Sequence, residues 1–331
     1  NADRYCVLAD NQIFIVFLEI KNIICFILSL VIFLYAIHSM SSSLDTLAND
    51  KLKKILYNLT SNKYLGVLIG TVITAIIHSS SATSVILISL LNSHLITLNQ
   101  ATWIILGANI GTTFTGLLIA FDIGKFTIYL CIIGIILMFF KSKLFYLGKT
   151  TLALGLIFLA MDGMSKSISP LQYSPYFINL FSKLNNPITA ILAGTIFTAI
   201  IQSSTASVAV LQTIYQKGLI SFSMATNVIY GQNIGTCITA LIASINGDLN
   251  SKRLTLIHIL INLIGAIIFL ITSYFIPFID FVSSLTSNYM MQIAYMHVIF
   301  NIVSTIIFLP FDNLLINIVY KIIPNKENLD H

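Results

Sequence analysis

Residues 70–117 recur at 194–241 in a single register, 124 residues further along, with 22 of 48 positions identical and no gap. Gly70-Thr71 returns as Gly194-Thr195, Thr74-Ala75-Ile76-Ile77 as Thr198-Ala199-Ile200-Ile201, and Ser79-Ser80 as Ser203-Ser204. Further on, Gly107-Ala108-Asn109-Ile110-Gly111-Thr112 returns as Gly231-Gln232-Asn233-Ile234-Gly235-Thr236, and Thr115 as Thr239. The same offset reaches back to Ala36, Met40 and Ser41, which match Ala160, Met164 and Ser165. Apolar helices resemble one another by composition alone, but not in one register across so many polar positions. The chain is an internal duplication, so its fold must be two copies of one unit.

Both copies sit in apolar sequence. Charged residues are 9% of the chain and hydrophobic ones 57%, with a mean hydropathy of +0.92, against roughly 25% charged in globular proteins. So few charges cannot cover a water-facing surface, which excludes a cytosolic enzyme, a nucleic-acid-binding module and a disordered chain. The excess of 17 Lys+Arg over 12 Asp+Glu is confined to short clusters between apolar runs, such as Lys51, Lys53 and Lys54, or Lys252 and Arg253. Such clusters mark cytoplasmic loops. The four cysteines, Cys6, Cys25, Cys131 and Cys237, form no Cys-x-x-Cys pair, so neither a disulfide framework nor a zinc site is expected. The first twelve residues carry Asp3, Arg4 and Asp10 without a basic segment or cleavage motif, so they do not read as a signal peptide.

A spanning helix takes about 20 mostly apolar residues. The sequence predicts spans at about 22–40, 100–121, 125–140, 147–165, 224–245, 254–276 and 291–320, with loops at 41–64 and 166–187. Two further apolar stretches, 65–91 and 189–215, are interrupted at their middle by His78-Ser79-Ser80-Ser81 and Gln202-Ser203-Ser204-Thr205. Read as re-entrant hairpins, they leave three crossings in each copy, and an odd number turns the second copy upside down. The expected architecture is then all-α: a first repeat at 22–140, an inverted second repeat at 147–276, each with a hairpin and a broken span, and a final helix at 291–320. Full crossings would instead make the copies parallel. The distribution of Lys and Arg puts the 41–64 loop and the C-terminus in the cytoplasm under both arrangements, so charge does not decide between them.

Interrupted helices at membrane depth expose N–H and C=O groups that lipid cannot satisfy. Serine favours the N-cap, so each second arm should begin in its Ser run, and a helix N-terminus offers free N–H groups and partial positive charge to an anion. Two such ends would cradle one anion. The first arms end at Thr74–Ile77 and Thr198–Ile201, whose carbonyls and hydroxyls are hard oxygen ligands for a cation such as sodium. No Lys or Arg occurs in either hairpin or in the Asn109 and Asn233 spans. A bound anion must therefore be balanced by helix ends and co-bound cations, which favours cation-coupled anion uptake. Inverted repeats whose broken helices meet near the midplane are a recurring plan of secondary transporters.

Ser79-Ser80 and Gln202-Ser203-Ser204, each followed by Gly-x-Asn-Ile-Gly-Thr, resemble the duplicated motif of the type II sodium-dependent phosphate cotransporters. The resemblance covers about residues 22–276. It implies that His78, Ser79, Ser80 and Ser81, with Gln202, Ser203, Ser204 and Thr205, bind phosphate or sodium, and that Asn109 and Asn233 complete the site. Sodium is expected near Thr74, Thr112, Thr198 and Thr236, as a coupling ion with no organic cofactor. The partners implied are inorganic phosphate, sodium and the bilayer, in a multi-pass protein of the bacterial inner membrane. His78 departs from the Gln usual at that position, Asp122 is the nearest acid to the position some members use for an extra sodium, and a PhoU-like domain carried by many bacterial relatives is not in this sequence.

Other readings set the comparison. The Ser/Thr runs alone could serve close helix packing, and Asn109, Asn233, His258 and His297 could be interhelical hydrogen-bonding groups. Asp162, aligned with His38, reads as a solvated helix end. Another oxyanion (sulfate, arsenate or a carboxylate) would suit the same site chemistry. An intramembrane serine hydrolase using His78 with Ser79 or Ser80 is the alternative from a different class, but it lacks a Gly-x-Ser-x-Gly elbow and gives no reason for a second motif.

Overall fold

The computed structural model describes residues 2–59, 62–121, 126–141, 143–171, 173–174, 179 and 186–325. All regular structure among them is helical. Helix α1 (Ala2–Leu59) is followed by α2 (Lys63–Ile77), α3 (Ser80–Asn92), α4 (Leu98–Ala120), α5 (Thr127–Met138) and α6 (Lys143–Leu171). The second half holds α7 (Pro187–Ile201), α8 (Ser204–Gln216), α9 (Phe222–Ser244), α10 (Leu249–Thr272), α11 (Phe278–Ser284), α12 (Tyr289–Phe308) and α13 (Asp312–Ile322). Side-chain caps start the helices around the motifs: Asn62 accepts from Leu65 N, Asn186 from Ile188 N, Ser221 from Met224 N, and Thr97 forms a capping box with Gln100.

Glycines order the packing. Gly66 lies against Trp103, Gly70 against Ile104, Gly107 against Val67 and Gly111 against Thr71. The contacts advance together along both helices, so α2 and α4 run in the same direction. Since α2 and α4 start at the same end, α3 returns from the tip of α2 to that end. The duplicate does likewise: Gly194 lies against Val228, Gly231 against Ile191 and Gly235 against Thr195, so α7 and α9 are parallel and α8 runs back. Near the tips, Thr74 Oγ1 and Thr83 Oγ1 are 2.9 Å apart, and Thr198 Oγ1 donates to Ser207 Oγ at 2.7 Å. Each returning arm packs on its own repeat and also reaches the other, α3 touching both α4 and α9, and α8 both α9 and α4. Gln212 Nε2 makes the second crossing specific, donating to Gly116 O and Met290 O at 3.0 Å each.

Several expectations change. The broken spans around Asn109 and Asn233 are unbroken 23-residue helices, α4 and α9; their glycines are close-contact points for the hairpins, not backbone breaks. Among the described residues, five helices are long and apolar enough to cross a membrane: Leu18–Leu44, Leu98–Ala120, Lys143–Pro170, Leu249–Thr272 and Tyr289–Ile322. The span expected at 125–140 is the 12-residue α5, and that at 224–245 is α9, whose Thr226, Asn227, Gln232 and Asn233 are buried against protein. The loop expected at 41–64 is helical to Leu59, and that at 166–187 to Leu171. The run 291–320 turns through a 3-10 segment, Leu309–Phe311, at Pro310, where proline has no N–H to continue the helix. Arg253, read as loop charge, is buried: it donates to Ile323 O (2.9 and 2.8 Å), Asn325 Oδ1 (2.7 Å) and Asn250 Oδ1 (2.9 Å) and covers the Tyr320 ring. Trp103 Nε1 donates to Asp312 Oδ2 at 2.7 Å. Asp122 lies outside the described residues.

Candidate functional site

The two interruptions have one backbone geometry. His78 (φ 56°, ψ 29°) and Gln202 (φ 55°, ψ 25°) take the left-handed conformation and return their N–H groups to Thr74 O and Thr198 O at 2.8 Å, a common way to end a helix. Ser79 (φ −150°) and Ser203 (φ −140°) are extended, and their Oγ atoms accept from Ala82 N at 3.1 Å and Ala206 N at 3.2 Å. The first N–H groups of α3 and α8 have no partner within their helices, and the helix dipole makes both ends partially positive.

The tips meet. One cavity of about 260 Å³ is lined by His78, Ser79, Ser80 and Ser81 from the first tip and by Gln202, Ser203, Ser204 and Thr205 from the second. Its remaining wall is α1, with Leu34, Ile37, His38 and Ser41. No Lys, Arg, Asp or Glu lines it. His78 Nδ1 shares a hydrogen bond with the Thr115 hydroxyl at 2.8 Å, leaving Nε2 as the ring atom for a ligand. Gln202, its duplicate, is exposed. His78 thus engages Thr115, and Ser79 Oγ caps α3.

Asn109 and Asn233 do not line this cavity. Asn109 Oδ1 accepts from His258 Nε2 at 3.0 Å, and its amide reaches Asn262 Oδ1 at 3.5 Å, tying α4 to α10. Asn233 Nδ2 donates to Ile229 O of its own helix at 2.8 Å. Thr74, Thr112, Thr198 and Thr236 are buried behind the tips. Thr112 and Thr236 donate to Ala108 O and Gln232 O at 3.0 and 2.9 Å; a hydroxyl that has given away its proton still offers lone pairs to a cation. His38 and Ser41 were missed by sequence reasoning. Their signal was present: four lining positions spaced 34, 37, 38, 41 share one helix face, within reach of the duplication's upstream end.

An all-helical, membrane-spanning chain whose paired interrupted helices enclose a polar pocket without fixed charge has the build of a small-ion carrier, not of an enzyme. Comparison with known proteins gives the class its name: the chain belongs to the Na+/Pi-cotransporter family, whose profile matches residues 32–166 and 176–302. It is 31% identical over 307 residues, 92% of this chain and 99% of the relative, to "Uncharacterized protein YqeW" of Bacillus subtilis. It is 28% identical over 298 residues to "Putative inorganic phosphate export protein YjbB" of Salmonella typhimurium, covering 88% of this chain but only 54% of that protein. A 112-residue stretch is 32% identical to "Sodium-dependent phosphate transport protein 2B" of Pongo abelii, 16% of its length. No solved structure matches the chain. The family is one of transporters, and the protein is a multi-pass membrane protein, of the inner membrane in bacteria.

Proposed function

We propose that the protein is a secondary carrier that couples movement of inorganic phosphate to sodium, with phosphate held between the two hairpin tips. The observation that carries this reading is the single cavity lined by both Ser runs, with two helix N-termini at its wall and no Lys or Arg among its lining residues. Phosphate is a multiply charged oxyanion, and two half-charges from helix ends do not neutralise it. Sodium bound at Thr74, Thr112, Thr198 and Thr236 would supply the remainder and so link the two fluxes. Ser79, Ser80, Ser81, Gln202, Ser203, Ser204, Thr205 and His78 would contact the anion. Asn109 would act from behind, holding α4 against α10 through His258, and Asn233 would act from α9.

Direction follows from thermodynamics. A coupled carrier runs toward whichever side the combined sodium and phosphate gradients favour, so uptake is expected under an inward sodium gradient. Export, named for YjbB, would be the same cycle under the opposite combined gradient. In proteoliposomes, radiolabelled phosphate should accumulate only with an inward sodium gradient, and sulfate or arsenate added outside reads out selectivity. Phosphate flux indifferent to sodium would sink the coupling. Stronger suppression by sulfate or a carboxylate than by unlabelled phosphate would reassign the substrate.

The inverted arrangement carries its own prediction. Parallel α2 and α4, with α3 running back, fit a re-entrant hairpin, and an odd number of crossings in each repeat would turn the second copy over. Ser93 and Ser221 are exposed, Ser93 at the start and Ser221 at the end of the loops that follow the two hairpins. Single cysteines at these positions, with the four native ones removed, should react with an impermeant thiol reagent from opposite membrane faces. Reaction from the same face would mean full crossings and parallel repeats.

A further inference from the structure

The third wall of the tip cavity has chemistry of its own. Leu34, Ile37, His38 and Ser41 present one face of α1 to the cavity, while Phe33, Ala36 and Met40 are buried in the core that α1 shares with α6 and α8. That packing fixes the rotation of α1, so His38 is held toward the cavity. Of the lining residues, His38 and His78 are the two that can carry charge. His78 is tied to Thr115 through Nδ1. No hydrogen bond from a described residue occupies the His38 ring.

The duplication sharpens the contrast. Phe158, Met161, Asp162 and Ser165 stand at the positions that match Leu34, Ile37, His38 and Ser41. They line a separate cavity of about 490 Å³ with the end of α4 and the start of α12, and no tip residue reaches it. There Asp162 pairs with Lys166 at 2.7 Å. The acid of the pair is thus kept from the tips and the base faces them. Gly163 packs on Ser29, nine residues before His38, which is about 13 Å along the helix axis. Asp162 and Lys166 therefore do not face His38. The groups that do are Ser41 from α1, His78 and the Ser run from the first tip, and Gln202 and the Ser run from the second.

We propose that His38 is a direct anion-binding residue of this cavity, its ring N–H donating to the oxyanion from α1 opposite the hairpin tips. This rests on the reading that the cavity takes phosphate. An imidazole ring carries at least one N–H donor, so removing the ring removes a hydrogen bond to the anion.

The test is equilibrium binding of radiolabelled inorganic phosphate to the full chain in lipid nanodiscs with sodium. His38→Leu should weaken binding about tenfold or more. Asp162→Asn, at the matching position of the other repeat, should bind as the unchanged protein does. Independently, phosphate should slow modification of His38→Cys by a cationic thiol reagent in a background without native cysteines; this readout decides if His38→Leu does not fold. Binding by His38→Leu within twofold of the unchanged protein, or no phosphate protection of the cysteine, overturns the proposal while leaving the phosphate reading intact. Failure of the unchanged protein to bind phosphate overturns both.

Discussion

Alanine at Gly107 or Gly231 is expected to abolish phosphate transport and to lower the melting temperature of the purified protein. A Cβ built at Gly231 would sit 1.9 Å from Ile191 O, and one at Gly107 would sit 2.0 Å from Val67 O. Both obstacles are backbone carbonyls of the hairpin's first arm, which cannot turn aside as a side chain can. The arm must move away as a unit, and the tip it carries moves with it. Overpacking of a tight interior costs roughly 1–3 kcal/mol and more where backbone must shift, so a loss at or above the top of that range is expected. Gly116→Ala supplies the control: its nearest obstacle is Val208 Cγ1 at 3.4 Å, an ordinary contact, and both transport and stability should survive. Full transport by the Gly231 and Gly107 alanine variants would mean that the hairpins do not seat against α4 and α9 as described.

Removing both capping hydroxyls, Ser79→Ala with Ser203→Ala, should reduce phosphate affinity by a hundredfold or more while the protein still inserts and folds. Each Oγ accepts from the N–H of Ala82 or Ala206, which leaves its own proton free to donate into the cavity. A hydrogen bond to a charged group contributes about 1.5–3 kcal/mol, so two lost together amount to some 3–6 kcal/mol. Loss of an N-cap costs about 1 kcal/mol of stability in each arm, too little to unfold the chain. Ser→Thr at both positions keeps hydroxyl and cap, and should recover most of the binding. If the double alanine variant bound phosphate normally, the tips would be structural elements and the anion would have to bind elsewhere.

The motif in two copies, its position in apolar sequence and the serine caps were all legible without a structure, because each depends on local chemistry. A Ser run inside an apolar stretch interrupts the helix wherever the chain lies, and His78 and Gln202 end their helices in matching geometry. The Gly-x-Asn-Ile-Gly-Thr segments were legible as important and misjudged in kind. Glycine reads equally as a break or as a close contact, and only the presence of Val67 O and Ile191 O beside Gly107 and Gly231 distinguishes the two. Asn109 was expected at the anion; instead it joins α10 through His258, a partner 149 residues away that no local pattern could assign.

By itself, then, the sequence determined that this is a membrane-embedded, all-helical, duplicated chain with two polar helix breaks and no buried Lys or Arg near them. Periodicity, composition and capping act over a few residues, and those features follow from them directly. Tertiary structure alone decided that the two breaks share one cavity, that α1 closes it with His38 and Ser41, and that Asp162 lines a different space. These are relations between segments a hundred or more residues apart, set by which glycine lets which backbone approach. The parallel course of α2 with α4 and of α7 with α9, which charge counting could not reach, comes from the same glycine contacts.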